Sequence, residues 1–342
     1  MSSEKRCTIS DIANEVGVST TTVSRFLSGR YEYMSKSTRE KIRIAVQKHG
    51  YRPSLVARGL KSSKSYLIGV IMPQVHKTVS SHSIRGICMA CTDSQYSPII
   101  VSIENNTGIE AAKIQELIDH RVDGILTFTG SGDQHYAKVI EAGIPVVRVD
   151  RCGTSYPIDS VCINHYEIVQ DALLNLSVSG FTKIAIFTNH PSITAYSTVN
   201  IRLRSYYDFI NSVPHLTPIE YTIDNDNYDS IRDAINHFIA TYPNDRKAIF
   251  VPSVENLSNV NWVCKLMGLH YPDDVALLGY VLEDNTSASA SELSVISQPI
   301  AQMCKEALSL ITERISDGDS SSEPITKAIP ASLIIRNSTI IK

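Results

Sequence analysis

Hydrophobic positions fall into two regimes along the chain. Up to about Gly50 they recur every three or four residues. In SDIANEVGVSTTTVSRFLSG, Ser10 to Gly29, one stripe is Ile12, Ala13 and Val16, and a second is Val23, Phe26 and Leu27. The first predicts a short helix from Asp11 with Ser10 as its cap. Gly17 supplies a tight turn, and Ser19 caps a second helix. Ala13 is small where the two helices would cross. A third stripe, Ile42, Ala45 and Val46 within STREKIRIAVQKHG, predicts a third helix that Gly50 can end. Ser37 and Glu40 have capping-box spacing, and Ser35 is an equal candidate for the cap. From Tyr66 the pattern changes. YLIGVIM, SPIIVSI, VDGILTF, PVVRVD, SVCIN, KIAIFT, AIFVP and VALLGY are short, nearly continuous apolar runs, separated by amphipathic stretches such as Gly108 to His120. Such runs suit strands covered on both faces, joined by helical crossovers. The expected fold is a small all-α helix-turn-helix head plus an α/β core of two doubly wound parallel-sheet lobes, with ligand sites at strand C-termini.

The head carries a candidate chemistry. In a helix-turn-helix the second helix enters the DNA major groove by its N-terminal residues. That accounts for the polar run Thr20, Thr21, Thr22, Ser24 and Arg25. Hydroxyls can reach phosphates or bases, and Arg25 can make a bidentate contact to guanine. Charge points the same way. Residues 1–64 hold 13 Lys or Arg against 5 Asp or Glu, a net of +8, whereas the rest hold 19 against 30, a net of −11. A basic head on an acidic body implies a polyanionic partner for the head alone. Tyr51 closes the small core and Pro53 marks a break. Ser54 to Leu60 is too short for a stable lone helix, and Gly59 weakens it further. It carries Arg58 and Lys61 around Leu60. Such a segment can fold on meeting DNA or a second copy of itself, with Leu60 as a minor-groove wedge.

Composition narrows the alternatives. No run of about 18 apolar residues predicts a membrane span. MSSEKRCTISDI lacks the apolar centre of a secretory signal, so a cytoplasmic protein is expected. Seven scattered cysteines suggest reduced thiols, and Cys88 and Cys91 are read as helical spacing on a buried face rather than as half of a zinc site. There is no G-x-S-x-G, no phosphate-binding glycine loop and no metal-spaced His/Asp cluster, so no enzyme, cofactor or metal site is expected. A solute-binding protein would leave the basic head unexplained. His165 and His190 follow predicted strands; one could line a cleft, although a lone loop histidine is more often solvated.

Three segments, TISDIANEVGVSTTTVSRFLSG, STREKI and YRPSLVARGLKSSKSYLIGVI, resemble in order and spacing the lac repressor (LacI/GalR) family of bacterial transcription regulators. The resemblance implies a helix-turn-helix head, a hinge helix and a periplasmic-binding-protein-like core, joined as a homodimer on near-palindromic double-stranded operator DNA. The corresponding boundaries are 1–52 for the head, 53–65 for the hinge and 66–342 for the core. The N-lobe would span about 66–164 and 296–327, and the C-lobe about 165–295 and 328–342. Segments after Val295 would cross back, one strand to each lobe. By motif position, Thr20, Thr21 and Arg25 fall where the family reads bases, and Ala57 and Leu60 where its hinge enters the minor groove. Thr8, Ser10, Ser19, Thr22, Ser24, Tyr33 and Arg58 complete the DNA-binding set.

For the effector cleft the resemblance implies Asp150, Arg151, Arg202, Ser253 and Tyr280. RLRSYYDFI matches the family's arginine followed by a small and an aromatic residue through Arg202, Ser205 and Tyr206, with Arg204 a competing assignment. Elsewhere the chain departs from the pattern. Ser253 and Val254 replace Asn-Asp, Val281 replaces Asp, and HKTVSS, residues 76–81, replaces an aromatic pair. Losing acids from a cleft that keeps Arg151 and Arg202 favours an anionic effector. YEYMSKSTREKI, VDRCGTSYPIDSVCINHYE and VISQPI look like regulators of 2-keto-3-deoxygluconate and related sugar-acid catabolism, which implies a small-molecule effector that is a sugar acid. The alternative is a core that has lost sugar binding and responds to a phosphorylated metabolite or a protein partner.

Overall fold

The computed structural model describes residues 7–51, 64–130, 133–151, 158–189, 198–283, 291–318 and 323–341. The chain divides into two units, Met1–Tyr66 and Leu67–Lys342. The expected hinge residues Ala57, Arg58 and Leu60 lie outside the described residues, as does His190.

In the first unit, helix α1 spans Ile9–Val16 and is capped by Thr8, not Ser10. The Thr8 hydroxyl accepts from the Asp11 backbone N–H, and the Asp11 carboxylate accepts the Thr8 backbone N–H at 2.8 Å. This reciprocal pair satisfies two end donors where a lone serine would satisfy one, so the helix starts ahead of its apolar stripe. Gly17 ends it at φ 71°, donating back to the carbonyls of Ala13 and Asn14. Ser19 caps α2 (Thr20–Leu27) through the Thr22 N–H. Ser35, rather than Ser37, caps α3 (Lys36–Lys48), and Glu40 pairs instead with Arg43. Ile12, Ala13, Val23, Ile42 and Ala45 are buried together, with Phe26, Leu27 and Tyr51 packed around them. Burial of Ile12, Val23 and Ile42 contributes on the order of 1.5–3 kcal/mol each.

The second unit holds two six-stranded sheets. In the N-lobe, β1 (Leu67–Met72), β2 (Ser97–Ser102), β3 (Gly124–Thr127), β4 (Val146–Val149), β5 (Asp159–Ile163) and β11 (Thr326–Ile329) run parallel in the order β11-β5-β4-β3-β1-β2. The C-lobe contains β6 (Lys183–Asn189), β7 (Ile219–Ile223), β8 (Lys247–Val251), β9 (Ala276–Leu282), β10 (Ser294–Gln298) and β12 (Ser332–Ile334), in the order β12-β10-β9-β8-β6-β7. Only the β10–β12 pair is antiparallel among these. Val70 lies opposite Ile100 and Leu126, so the C-terminal ends of the N-lobe strands come into line where the cleft forms.

Crossover helices follow the strands: α4 (Thr78–Thr92), α5 (Thr107–Asp119) and α6 (Asp133–Glu141) in the N-lobe, and α8 (Thr198–Ser212), α9 (Tyr228–Thr241) and α10 (Val254–Leu266) in the C-lobe. Helix α7 (His165–Val178) packs on α8 and β12, so the chain first changes lobe at Asn164. Helix α11 (Ile300–Asp317) packs on α4 and on β3, β4 and β5. β10 stays with the C-lobe through Gln298, so the second crossing falls at Pro299 rather than directly after Val295. Arg314 then ties α11 to β5 by two hydrogen bonds to the Asp159 carboxylate, 2.7 and 2.8 Å long.

The cysteines depart from expectation. Cys162 is disulfide-bonded, while Cys7, Cys88, Cys91, Cys264 and Cys304 are free. Cys91 lies on the buried face of α4, but Cys88 is exposed.

Candidate functional site

Helix α2 presents the polar face that its sequence required. Thr20, Thr21 and Arg25 are exposed, and Thr22 and Ser24 are partly covered. The hydroxyls of Thr8, Ser19 and Thr22 are engaged in caps, which leaves Thr20, Thr21 and Arg25 as the side chains free to reach outward. Ser10 is exposed on α1. Tyr33 stands 65% exposed in the turn Tyr31–Tyr33, with the Arg25 guanidinium 4.9 Å from its ring centre. A cation–π contact of this kind holds a long side chain without using its donors.

The core contains a cleft of about 240 Å³ between its lobes. Asp150 and Arg151, just past β4, line it from the N-lobe; Arg202 on α8 and Ser253 at the start of α10 line it from the C-lobe. Lys77, Glu255 and Gln298, none of them among the expected effector residues, line it too. A second cavity, between α4 and the start of α11, measures about 20 Å³ and has room for a water only.

Asp150 adopts a left-handed backbone, φ 63°, a strained state for a non-glycine residue and a mark of sites where geometry is imposed. Its Oδ1 accepts from His165 Nε2 at 3.0 Å. His165 Nδ1 accepts from Arg202 Nε at 3.2 Å, and since a guanidinium can only donate, the imidazole proton sits on Nε2. Arg202 also donates to the Pro252 carbonyl at 2.7 Å and to Gln298 Oε1 at 3.0 Å. Its plane lies 3.7 Å over the Tyr280 ring. Burial and then the Arg202 charge hold the His165 pKa below the ordinary histidine value, despite Asp150. Burial pushes Asp150 up, but the His165 hydrogen bond and the Arg202 and Arg151 charges outweigh it and leave the carboxyl below its usual range.

Two expectations change here. Tyr280 is fully buried in β9 and does not line the cleft; it is the floor beneath Arg202. His165 is not a solvated loop histidine but the first residue of α7, 3% exposed and bonded on both ring nitrogens. The competing Arg204 is on the outer face of α8, 80% exposed beside Asp208. Glu255, on the C-lobe, accepts the backbone N–H of Thr78 at 3.1 Å and so closes the N-terminus of α4 across the cleft mouth.

A helix-turn-helix unit joined to a two-lobed α/β core with a polar cleft defines a DNA-binding regulator that senses a small molecule. The comparisons bear this out. Residues 8–54 match the family described as bacterial regulatory proteins, lacI family, and residues 174–339 match the periplasmic binding protein-like domain. Over 96% of its length the chain is 28% identical to the probable HTH-type transcriptional regulator EndR of Paenibacillus polymyxa, covering 97% of that protein. It is 27% identical to the HTH-type transcriptional regulator KdgR of Bacillus subtilis, over 97% of each chain. The fold is that of the lac repressor dimer bound to operator and the anti-inducer ONPF, with a TM-score of 0.82 at 22% identity over 98% of this chain and 100% of that one. The head therefore carries the helix-turn-helix of the lacI family and the core a periplasmic binding protein-like domain, and the relatives are transcriptional regulators rather than enzymes.

Proposed function

We propose that the protein is a cytoplasmic repressor that binds a near-palindromic operator as a homodimer and changes its operator affinity when a sugar acid enters the cleft. In this reading Thr20, Thr21 and Arg25 read bases, Thr8, Ser10, Ser19, Thr22, Ser24 and Tyr33 contact the duplex around them, and the hinge residues Ala57, Arg58 and Leu60 act in the minor groove. Asp150, Arg151, Arg202 and Ser253 surround the effector. The observation that carries the effector class is the balance of charge in the cleft. Lys77, Arg151 and Arg202 line it against Asp150 and Glu255, a balance of one positive charge, while Ser253 and Val254 stand where an amide and an acid would bind a neutral sugar. Exposed apolar side chains support the dimer: Met89 on α4 in the N-lobe, and Leu266 and Trp262, the latter beside Tyr228, on α10 in the C-lobe.

The test is a calorimetric melting scan with 2-keto-3-deoxygluconate, gluconate, phosphorylated hexoses and neutral hexoses. A ligand at about one hundred times its Kd adds roughly 2.7 kcal/mol to the native state. A shift with the sugar acids alone supports the proposal. A shift only with neutral hexoses overturns it, and one only with phosphorylated sugars moves the effector to that class. The active compound is then added to a fluorescence-anisotropy titration of operator DNA to read the sign of its effect. The coupling expected between two such sites is roughly 1–3 kcal/mol, felt equally by both ligands.

A further inference from the structure

We infer that Arg151, and not Arg202, receives the acidic group of the effector, and that Gly130 is the positioning residue that gives the Arg151 guanidinium its place. The inference rests on the sugar-acid reading above and assigns the site's charge recognition within it.

Arg202 has the right charge but no freedom. It is 4% exposed, and its three nitrogens each donate to a protein acceptor: His165, the Pro252 carbonyl and Gln298. One face is covered by Tyr280. Three of its five N–H groups are taken, so a carboxylate finds one N–H left on each terminal nitrogen and none at Nε. Arg151 is arranged in the opposite way. Its Nε donates to the Phe128 carbonyl at 3.1 Å, which anchors the base of the fork. Its two terminal nitrogens hold no hydrogen bond or ion pair among the described residues, and the side chain lines the cleft. A planar guanidinium fixed at Nε and open at both terminal nitrogens is the geometry that a carboxylate matches.

Gly130 explains how the guanidinium comes to be there. A Cβ at position 130 would lie 2.2 Å from Nη1 of Arg151 and 2.9 Å from Cζ. Both are closer than real carbon contacts allow. Gly130 is not among the residues with positive φ, so its backbone does not call for glycine; only the neighbouring side chain does. The residue before Gly130 is held in place. Thr129 donates to the Glu110 carboxylate, which is buried and also accepts from Tyr136 at 2.8 Å. With Thr129 pinned and the arginine tip flexible, an added methyl group displaces the guanidinium and leaves the fold in place.

The experiment measures binding of 2-keto-3-deoxygluconate, gluconate and glucose by calorimetry to the full chain and to Arg151→Gln, Gly130→Ala and the double variant. Acid affinity should fall at least about tenfold in each single variant. The double variant should match Arg151→Gln, because Gly130 acts only through the arginine. Unliganded Gly130→Ala should melt with the parent. Undiminished acid binding by Arg151→Gln overturns the inference while leaving the sugar-acid reading intact. A further loss on adding Gly130→Ala to Arg151→Gln also overturns it, since it gives Gly130 an independent role. If the parent binds neither acid, that reading fails by itself, and the arginines are then compared by 2,3-butanedione labelling in borate with mass mapping. Arg151 should label ahead of Arg202, with its rate changed in Gly130→Ala; equal or reversed labelling overturns the assignment.

Discussion

Replacing Arg202 by alanine should unfold the core more readily, whether or not a ligand is present. The substitution strips a donor from three buried acceptors, His165 Nδ1, the Pro252 carbonyl and Gln298 Oε1, and removes the cation from above Tyr280. A hydrogen bond to a charged group is worth about 1.5–3 kcal/mol, and each buried acceptor left without its donor costs about 1–3 kcal/mol. These terms overlap, since the same guanidinium supplies them all, so about 4 kcal/mol is a fair total. At about 2 °C per kcal/mol for a unit of this size, the core transition should fall by about 8 °C. Differential scanning calorimetry of the full chain measures it. Arg204→Ala is the control: that side chain is exposed on the same helix, 3.6 Å from Asp208, and its loss should stay within about 0.5 kcal/mol. A core transition in Arg202→Ala within about 1 °C of the parent would refute the strut and return Arg202 to the role of a ligand residue held by its ligand.

Other outcomes follow from the same geometry. The folded-state pKa of His165 lies below its unfolded value of about 6.5, so the unfolded chain binds the extra proton. Its contribution is therefore present above about pH 6.5 and lost as the pH falls from that value toward the lower folded-state pKa, and Asp150 adds a loss of the same sign below about pH 3.9. The core melting temperature should drop between pH 7.5 and 5.5, and His165→Gln should flatten that slope; an unchanged slope would remove His165 as its source. Arg25→Ala should weaken specific operator binding by about 1–3 kcal/mol while barely changing binding to bulk DNA, as read by competition in a gel shift. Equal losses on both duplexes would make Arg25 a phosphate contact. Leu266, 66% exposed, and Trp262, 49% exposed, should be covered in a dimer; arginine at either position should shift the mass measured by light scattering toward the monomer. A dimer undisturbed by both would place the interface elsewhere.

Strands buried on both faces were the most legible elements. The continuous runs of β1, β3, β8 and β9 need no partner information, because only apolar side chains fit between two helical layers. Strand β7, IEYTI, did not stand out. It lies at a sheet edge, and its residues alternate between the core and solvent. Strand β10, SVISQ, is fully buried yet polar, because Ser294 bonds to Ser338 and Arg336 and Gln298 accepts from Arg202. No local pattern predicts a buried serine whose partner lies 44 residues away.

The sequence by itself determined the head's three helices, the polar face of α2, the α/β character of the core and the membership of Asp150, Arg151 and Arg202 in one cleft. All of these depend on spacing along the chain or on motif position. The division of labour among the charged groups was decided only by the tertiary structure. Arg151 and Arg202 are alike in sequence, and what separates them is how many acceptors each meets after folding. Those acceptors come from β10, α7, the residue after β8 and the turn after β3, on both sides of the change of lobe at Asn164. Sequence spacing records which residues stand near one another on an element; it does not record which of two equal charges has already been spent.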